Sequence, residues 1–317
     1  METKAGPYVG IDVSKAILDI SIGVSGEHFQ VSNDDGGVKK LIERLKAVQP
    51  SLIVVESTGG LEKLVVAELF VSILPVALVN PRRVREFAKS TGRLAKTDKL
   101  DAQVLAQFAE AIHPPLVTLP TEDEQYLSAL MTRRRQVIDL LTAEKNHLLS
   151  TPARVRNLVE QSIAVLQGQL DELNQTISQF IDHNDVFRKK DNILRSVPGV
   201  GSVTSAIILS DLPELGLMDR KKIAALVGVA PYNDDSGHRS GKRRIKGGRE
   251  SIRHILYMAT LAATRFNPVI KRFYHHLIQL GKPFKVALVA CMHKLLIILN
   301  SMMRDLRPWQ PNFTLDA

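Results

Sequence analysis

The chain has 317 residues, a hydrophobic fraction of 44% and a formal net charge of +9. At ~100–200 residues per domain this length predicts two domains, and the excess of Lys and Arg favours a polyanionic partner, either nucleic acid or a membrane surface. The single cysteine, Cys291, excludes an intramolecular disulfide, and no apolar run is expected to reach the ~20 residues that a membrane-spanning helix needs.

The first part of the chain, residues 1–115, alternates strand and helix patterns. Three strand patterns with short breaks come first, and β-α units follow them. Strands are predicted at 8–13, 17–24, 28–32, 52–56 and 76–79, and helices at 37–47, 61–71, after Asn80-Pro81 and at 97–111. This order predicts an α/β domain with a mixed sheet.

The middle part, residues 120–188, has no strand pattern and few glycines. Ser150-Thr151-Pro152 predicts a break between two long helices, because small polar residues cap helices and Pro suits a first turn. Apolar residues in the second helix step alternately by four and three, which is a heptad seam. The pattern predicts a coiled-coil arm, although a helical pair packed on its own domain fits the seam equally well. The seam consists of Val159, Ile163, Leu166, Leu170, Leu173, Ile177 and Phe180.

The last part, residues 190–310, is predicted to be helical with glycine-rich joints. Residues 196–201 interrupt two helices, and residues 231–248 form a polar, basic loop. Cys291 lies in an apolar helical stretch and is interpreted as a small core residue, not a nucleophile. Further helices are predicted at 249–265, 268–280 and 284–304.

Four acidic residues are candidates for one metal site. Asp12 and Glu56 come at the ends of predicted strands, where sites form in open α/β sheets. Asp98 and Asp101 share a helix face because they are three residues apart. Four converging carboxylates need cations, and hard oxygen ligands suit Mg²⁺ or Mn²⁺, two of which can promote phosphodiester chemistry. Taken singly, Asp98 is equally well a helix cap and Asp101 a solvated side chain.

The order of these acids resembles the RuvC-like branch of the RNase H-like nuclease superfamily, with a D-E-D-D set over residues 6–112. A Gly-Ile-Asp-x-Ser motif on a first hairpin also occurs in the sugar-kinase, heat-shock and actin-like ATPases. The chain shows no clear second phosphate loop or adenosine-binding glycine motif, and the Asp-x-x-Asp pair is not expected in those ATPases. The nuclease-like interpretation is therefore preferred.

Residues 236–253 combine seven Lys or Arg with four glycines and one acid. Basic residues supply sequence-independent phosphate binding, and glycines let the backbone approach a ligand, so phosphate contact is favoured over a solvated loop. Ser236 and Ser240 are candidate nucleophiles, but a serine needs activation and no Ser/His/Asp arrangement is evident, since the proximity of His238 in sequence says little. The cations are Arg239, Lys242, Arg243, Arg244, Lys246, Arg249 and Arg253.

Several motifs together resemble one family of insertion-sequence transposases, which includes the Piv-type DNA invertases. They are Glu56-Ser-Thr-Gly59, Lys96-Thr97-Asp98 with Asp101-Ala102, Pro231-Tyr232 before Asp235-Ser236-Gly237, Gly247-Gly248-Arg249, Ile252-Arg253 with Leu256-Tyr257-Met258-Ala259, and Gly281-Lys282 through Lys294-Leu295. The resemblance covers nearly the whole chain. It implies that Asp12, Glu56, Asp98 and Asp101 bind metal and that Ser236 is the nucleophile, with Ser240 as the second choice. It also implies, for some members, a structured guide RNA of the bridge or seek type.

Residues 197–201 resemble the hairpin of a helix-hairpin-helix element. Gly199 and Gly201 would then let backbone amides reach a nucleic-acid phosphate. A simple turn between two helices explains the same pattern equally well.

The sequence thus predicts an RNase H/RuvC-like mixed-sheet domain, a coiled-coil arm and a helical domain with a helix-hairpin-helix-like element. The expected function is site-specific DNA recombination through a covalent phosphoserine with divalent metal. The expected partners are donor and target DNA, a guide RNA and further copies of the chain in a dimer or tetramer, with no membrane. The N-terminus has no signal-peptide pattern, so a prokaryotic cytoplasm with nucleoid association is expected. The alternative is a metal-only RuvC-like nuclease or Holliday junction resolvase.

Overall fold

The computed structural model of the chain describes residues 6–23, 26–92, 98–117, 120–232 and 244–311, with the backbone alone at residues 98 and 99. The chain divides into two compact units, Met1–Pro120 and Thr121–Ala317. We call them unit 1 and unit 2 and describe each separately.

Unit 1 is an α/β unit built on a five-stranded mixed sheet. Its order is β3-β2-β1-β4-β5, in which β1, β2 and β3 are antiparallel neighbours and β4 and β5 run parallel to β1. Three meandering strands followed by parallel strands give the mixed sheet that the sequence predicts. The elements are β1 (Tyr8–Val13), β2 (Ile17–Ile22), β3 (His28–Ser32), α1 (Asp35–Val48), β4 (Leu52–Glu56), α2 (Lys63–Val71), β5 (Val76–Val79), α3 (Pro81–Ser90) and α4 (Asp98–Ile112).

Apolar side chains cover both faces of this sheet, as the alternation of side chains along a strand requires. One face carries Ile11 and Ile20 and packs against α1 and α2. The opposite face carries Val54 and Val79 and packs against α3 and α4. The sheet is therefore the middle layer of the unit, and its strand ends remain available for a site.

Gly10 decides how closely α4 lies on the sheet. A Cβ atom at this position would be 2.1 Å from the carbonyl oxygen of Ala102 and 2.4 Å from the backbone nitrogen of Ala106. Both atoms belong to the backbone of α4 and cannot move aside as a side chain can. The helix can lie directly on β1 because residue 10 has no Cβ.

Unit 2 is helical apart from one short two-stranded ribbon, β6-β7, that the sequence did not predict. The predicted helices after residue 249 are confirmed within one residue at each end. The elements are α5 (Glu122–Ser150), α6 (Arg156–His183), α7 (Asp185–Arg195), α8 (Ser202–Asp211), α9 (Arg220–Val227), β6 (Pro231–Tyr232), β7 (Arg244–Ile245), α10 (Glu250–Phe266), α11 (Pro268–Gln279) and α12 (Phe284–Asp305).

The two long helices predicted for the middle of the chain are α5 and α6. Thr121 and Glu124 form a capping box at the start of α5, which fixes where the first helix begins. The seam is only partly buried from Val159 to Leu173, whereas Ile177 is buried together with residues of α7 and α8. The arm thus consists of α5 packed along α6, and the C-terminal end of α6 belongs to the core of unit 2. A boundary between a connector (120–188) and a C-terminal domain (190–310) stays a prediction.

The longest apolar helix of the C-terminal part is α12. By length and composition it is the one helix in the described ranges that could cross a membrane, so the expectation that no apolar run has this length was wrong. Most of its residues are buried in the core of unit 2, which is typical of a core helix. Cys291 lies in this core without exposure, and burial raises the pKa of its thiol to about 11, although Lys294 lowers it. The thiol therefore stays protonated, as expected of a core residue.

Candidate active site

Asp12 and Glu56 lie at the same edge of the unit 1 sheet. The parallel strands β1 and β4 pair Ile11 with Val55, and each acid is the next residue of its strand. Both residues are partly buried, and one carboxylate oxygen of Asp12 accepts a hydrogen bond from the Val13 backbone at 3.1 Å. The structure therefore brings these two predicted residues to neighbouring positions.

The start of α4 lies over the same strand. Asp101 directly precedes Ala102, whose carbonyl oxygen is the atom closest to the missing Cβ of Gly10. Asp98 is the first residue of α4, one turn earlier, and its side chain lies outside the described atoms. The close contact at Gly10 thus places the Asp98-x-x-Asp101 turn near the end of β1 where Asp12 lies. Among the described side chains, which do not include that of Asp98, no three His, Cys, Asp or Glu residues are grouped closely enough to hold a metal.

Glu62 organises the loop that follows Glu56, and the sequence analysis missed it. Its carboxylate is buried and accepts hydrogen bonds from the backbone N–H of Gly60 at 2.8 Å and of Thr58 at 3.1 Å. Burial raises the pKa of Glu62, but these hydrogen bonds and one from the Ser57 hydroxyl outweigh it, so the pKa lies below its usual value. A charged carboxylate therefore holds the loop that continues from Glu56.

Asn33 connects the two loops that leave the acidic strand ends. Its side-chain amide donates to the carbonyl oxygen of Ser14, two residues after Asp12, at 2.9 Å and to that of Leu61 at 3.3 Å. Its own side-chain oxygen is buried and has no hydrogen-bond partner among the described residues. Together with Glu62, Asn33 fixes the spacing between the loop after β1 and the loop after β4.

Asp19 is a third polar residue that the sequence analysis did not single out. It pairs with Asp12 across β1 and β2, so both side chains lie on the sheet face that α4 covers. Asp19 is buried, accepts a hydrogen bond from Gln30 at 2.7 Å and lies 3.2 Å from the ring nitrogen Nε2 of His28. An acid at the centre of an apolar strand pattern was the signal that could have identified it.

The ribbon strands β6 and β7 both lie within the basic loop of unit 2. Tyr232 pairs with Arg244 in antiparallel fashion, so the chain leaves β6 and returns to β7 at adjacent positions. Residues 233–243 join these two positions and lie outside the described residues. The predictions for Ser236, Ser240, Arg239, Lys242 and Arg243 fall on that segment and stay predictions.

The described end of the loop contains two kinds of cation. Arg244 and Lys246 are exposed. Arg249 donates from both terminal nitrogens to the carboxylate of Glu214 at 2.5 Å and to the carbonyl oxygen of Asp211 at 2.9 Å. Arg253 donates to the carbonyl oxygen of Gly247. Arg244 and Lys246 are therefore available to a ligand, whereas Arg249 and Arg253 fasten the loop to its own unit.

Gly199 and Gly201 have different surroundings. Gly199 has a φ of 104°, and a Cβ there would lie 2.8 Å from the backbone nitrogen of Ala263 in α10. Helix packing therefore explains this glycine. Gly201 is the exposed N-cap of α8, with no atom within 4 Å of a Cβ built on it. The predicted phosphate contact at this helix-hairpin-helix-like joint stays a prediction, and Gly201 is the residue of the two that is open to a ligand.

Comparisons with known proteins found two family models that match separate parts of the chain. Residues 9–152 match a family model described as transposase, and residues 191–275 match one described as transposase of the IS116/IS110/IS902 family. The two matches together cover more than two thirds of the chain.

Similar proteins over most of the length are the pilin gene-inverting proteins of Moraxella bovis and Moraxella lacunata. Each is 26% identical over 95% of this chain and 97% of its own length. The transposase for insertion sequence element IS1328 of Yersinia enterocolitica is 23% identical over 78% of this chain and 81% of its own length. Among solved structures, T. thermophilus RuvC in complex with Holliday junction substrate is similar to 34% of this chain and 98% of its own, at 15% identity and a TM-score of 0.28. At this TM-score the likeness adds nothing to the fold already visible in the strand order.

Proposed function

Because this chain belongs to the IS116/IS110/IS902 family of transposases, we propose that it cuts and rejoins DNA at specific sites through a covalent phosphoserine intermediate. The observation that supports the metal site of this proposal is the close approach of Ala102 to Gly10, because it sets α4, the helix of Asp98 and Asp101, against the strand that bears Asp12. Its relatives are named both for gene inversion and for transposition. The product is accordingly an inverted segment or a moved element.

Divalent metal belongs to this proposal, and the donor set fits it. Asp12, Glu56, Asp98 and Asp101 offer only carboxylate oxygens, the ligands that Mg²⁺ and Mn²⁺ prefer. Such an ion, when bound, polarises a phosphodiester and favours attack on phosphorus. The carboxylates would bind and orient it, and Asn33 with Glu62 keeps the two loops beside Asp12 and Glu56 at a fixed spacing.

Ser236 supplies the nucleophile in the proposed reaction. Its hydroxyl oxygen forms a bond to a DNA phosphorus, one phosphorus–oxygen bond of the backbone breaks, and the serine proton ends on the released DNA hydroxyl. Attack by the hydroxyl of a second DNA end reverses these changes and frees the serine. Exposed cations at the described end of the loop, Arg244 and Lys246, support phosphate binding next to this segment.

The test of the serine step is trapping on a DNA substrate nicked beside the cleavage point. The full chain should form a protein–DNA adduct that survives SDS, and mass spectrometry should place it on Ser236. Ser236→Ala should form no adduct, and Ser240→Ala is the matched control that should still form it. Recombination in Ser236→Ala would remove this serine from the mechanism, and the opposite pattern of the two variants would transfer the role to Ser240.

The carboxylates have their own test. Asp12→Ala and Asp101→Ala should each abolish adduct formation and should each weaken Mn²⁺ binding measured by electron paramagnetic resonance. Asp35→Ala, which changes an exposed acid of α1, is the control that should keep both. Full recombination by the Asp12→Ala and Asp101→Ala double variant would show that these carboxylates are not catalytic.

A second candidate is a metal-only nuclease or junction resolvase, favoured by the fact that all four predicted acids belong to unit 1. It would cut DNA without any covalent adduct. Cleavage in Ser236→Ala with loss of cleavage in Asp12→Ala would favour it.

We further propose a guide RNA and an oligomer, acting in a prokaryotic cytoplasm on the nucleoid. The arm supports the oligomer, because Leu140, Leu158 and Val165 are at least half exposed along helices whose seam is already paired. Light scattering should give a dimer or tetramer with DNA and RNA present, and a monomer would refute the oligomer. A structured noncoding segment beside the reading frame should co-purify with the protein as RNA, and its absence would refute the guide RNA.

A further inference from the structure

Helix α3 carries a row of basic side chains that the proposed reaction has not used. Arg82, Arg85 and Lys89 are exposed and lie at positions i, i+3 and i+7, so they share one face of the helix. Val84, the buried residue of α3, lies on the opposite face. We call Arg82, Arg85 and Lys89 the basic stripe.

Among the described residues, the basic stripe has no ion-pair partner. No carboxylate of the described ranges forms an ion pair with Arg82, Arg85 or Lys89, although Glu86 lies on the same helix. The first turn of α3 has no acid and contains Arg82, at the helix end where the macrodipole disfavours cations. A stabilising role in the folded chain therefore does not account for this placement, whereas an external anion would.

The stripe begins at the edge of the sheet where Glu56 lies. Val79 is the register partner of Glu56, and its carbonyl oxygen accepts a hydrogen bond from the backbone of Ser57 at 3.0 Å. Asn80 then caps α3, so Arg82 comes three residues after the partner of Glu56.

The helix is also attached to the element that supplies the other acids. The rings of Phe87 in α3 and Phe108 in α4 pack edge to face with centroids 5.4 Å apart. We call the strand ends that carry Asp12 and Glu56 the acidic edge. Since α4 carries Asp98 and Asp101, α3 packs against the helix that supplies the other two candidate acids.

We propose that the basic stripe binds the sugar-phosphate backbone of the DNA whose phosphodiester lies at the acidic edge. This inference rests on the proposed function, because it takes the acidic edge as the place where DNA reacts. The seven helical steps from Arg82 to Lys89 span about 10 Å, and one DNA strand advances 3.4 Å per nucleotide, so the stripe covers about three phosphates. Contacts of this kind hold DNA in place without selecting its sequence.

The experiment measures binding of the full chain to a fluorescent 30-base-pair duplex of arbitrary sequence, in EDTA, over a range of salt concentrations. The variant Arg82→Gln with Arg85→Gln and Lys89→Gln removes the stripe. The control Lys39→Gln with Lys40→Gln and Lys46→Gln removes three exposed cations of α1, which covers the other face of the sheet. The slope of log K against log salt should fall by about 2–3 for the stripe variant and by less than about 1 for the control. At low salt the dissociation constant of the stripe variant should rise roughly 10- to 100-fold.

Equal slopes for the two variants would overturn the proposal. So would a stripe variant that loses affinity for structured RNA while its DNA slope is unchanged, because the anion would then be RNA. Arg82→Lys with Arg85→Lys keeps the charges and should keep the slope, and circular dichroism checks that every variant is folded. DNA binding in EDTA needs neither metal nor Ser236. Recombination by Ser236→Ala would therefore refute the proposed function, but the salt dependence of DNA binding would still test the basic stripe.

Discussion

The acidic edge of unit 1 and the basic loop of unit 2 are held in place in different ways. At the acidic edge, backbone contact and neighbouring side chains fix the elements that carry the candidate acids: Gly10 admits α4, and Glu62 and Asn33 hold the adjoining loops. In the basic loop, two of the predicted ligand-binding residues themselves hold the loop in place. Arg249 donates hydrogen bonds to Glu214, and Arg253 donates one to the carbonyl oxygen of Gly247. Position at a strand end is therefore good evidence that an acid belongs to a site, whereas position in a basic run does not show that an arginine binds a ligand.

Gly10→Ala should have the largest effect. The new methyl group would overlap the backbone of Ala102, so α4 must move off β1 and carry Asp98 and Asp101 with it. We expect a loss of ~1–3 kcal/mol or more in the free energy of unfolding, together with loss of recombination, measured by chemical denaturation and a plasmid recombination assay.

Gly36→Ala is the matched control, because a Cβ at Gly36 would meet nothing closer than a side-chain oxygen of Asp34 at 3.4 Å. It should keep both stability and recombination. If Gly10→Ala recombines normally, the contact of α4 with β1 does not position the acids.

Arg249→Ala should come next and should act on stability. It removes a two-pronged bond to Glu214, whose carboxylate is only partly exposed, and one to the Asp211 carbonyl oxygen. Hydrogen bonds to charged groups each contribute ~1.5–3 kcal/mol, and solvent at this half-buried pair reduces the effect toward the lower end of that range. Thermal unfolding should therefore show a clearly lower Tm.

Arg244→Ala is the comparison for the same loop. Because Arg244 is exposed, its loss should leave Tm unchanged and should lower the slope of log K against log salt for DNA by about 1. The contrast between supporting and ligand-facing cations is wrong if the Arg249 variant keeps its Tm and changes the salt slope as the Arg244 variant does.

Glu62→Gln should have the smallest effect on stability and a specific effect on pH dependence. The pKa of Glu62 is lowered on folding, so its stabilising contribution is present above the pKa of the unfolded chain, near 4.5, and is lost as pH falls through the lower folded value. The wild-type chain should lose this contribution as pH falls below about 4.5, and Glu62→Gln should show a shallower decline over the same range.

The same variant should also raise the Mg²⁺ concentration needed for half-maximal recombination, since the loop after Glu56 loses its charged anchor. Glu68→Gln, on the exposed side of α2, should change neither quantity. An unchanged Mg²⁺ requirement in Glu62→Gln would limit this residue to stability.

The mixed sheet, the long helix pair and the strand-end positions of Asp12 and Glu56 could be predicted from the sequence alone. These features follow from patterns along a few neighbouring residues: alternation in strands, heptad steps in helices and an acid directly after an apolar run. The family resemblance likewise came from local motifs, and it was confirmed by matches to both parts of the chain.

The residues that hold the candidate site in place could be identified only from the tertiary structure. Gly10 looks like an ordinary glycine of a strand until α4, more than 90 residues later, is found against it. Asn33 donates to carbonyl oxygens of two other loops, and Arg249 donates to an acid 35 residues away. Such contacts form between segments that are far apart in sequence. A pattern of neighbouring residues therefore cannot predict them.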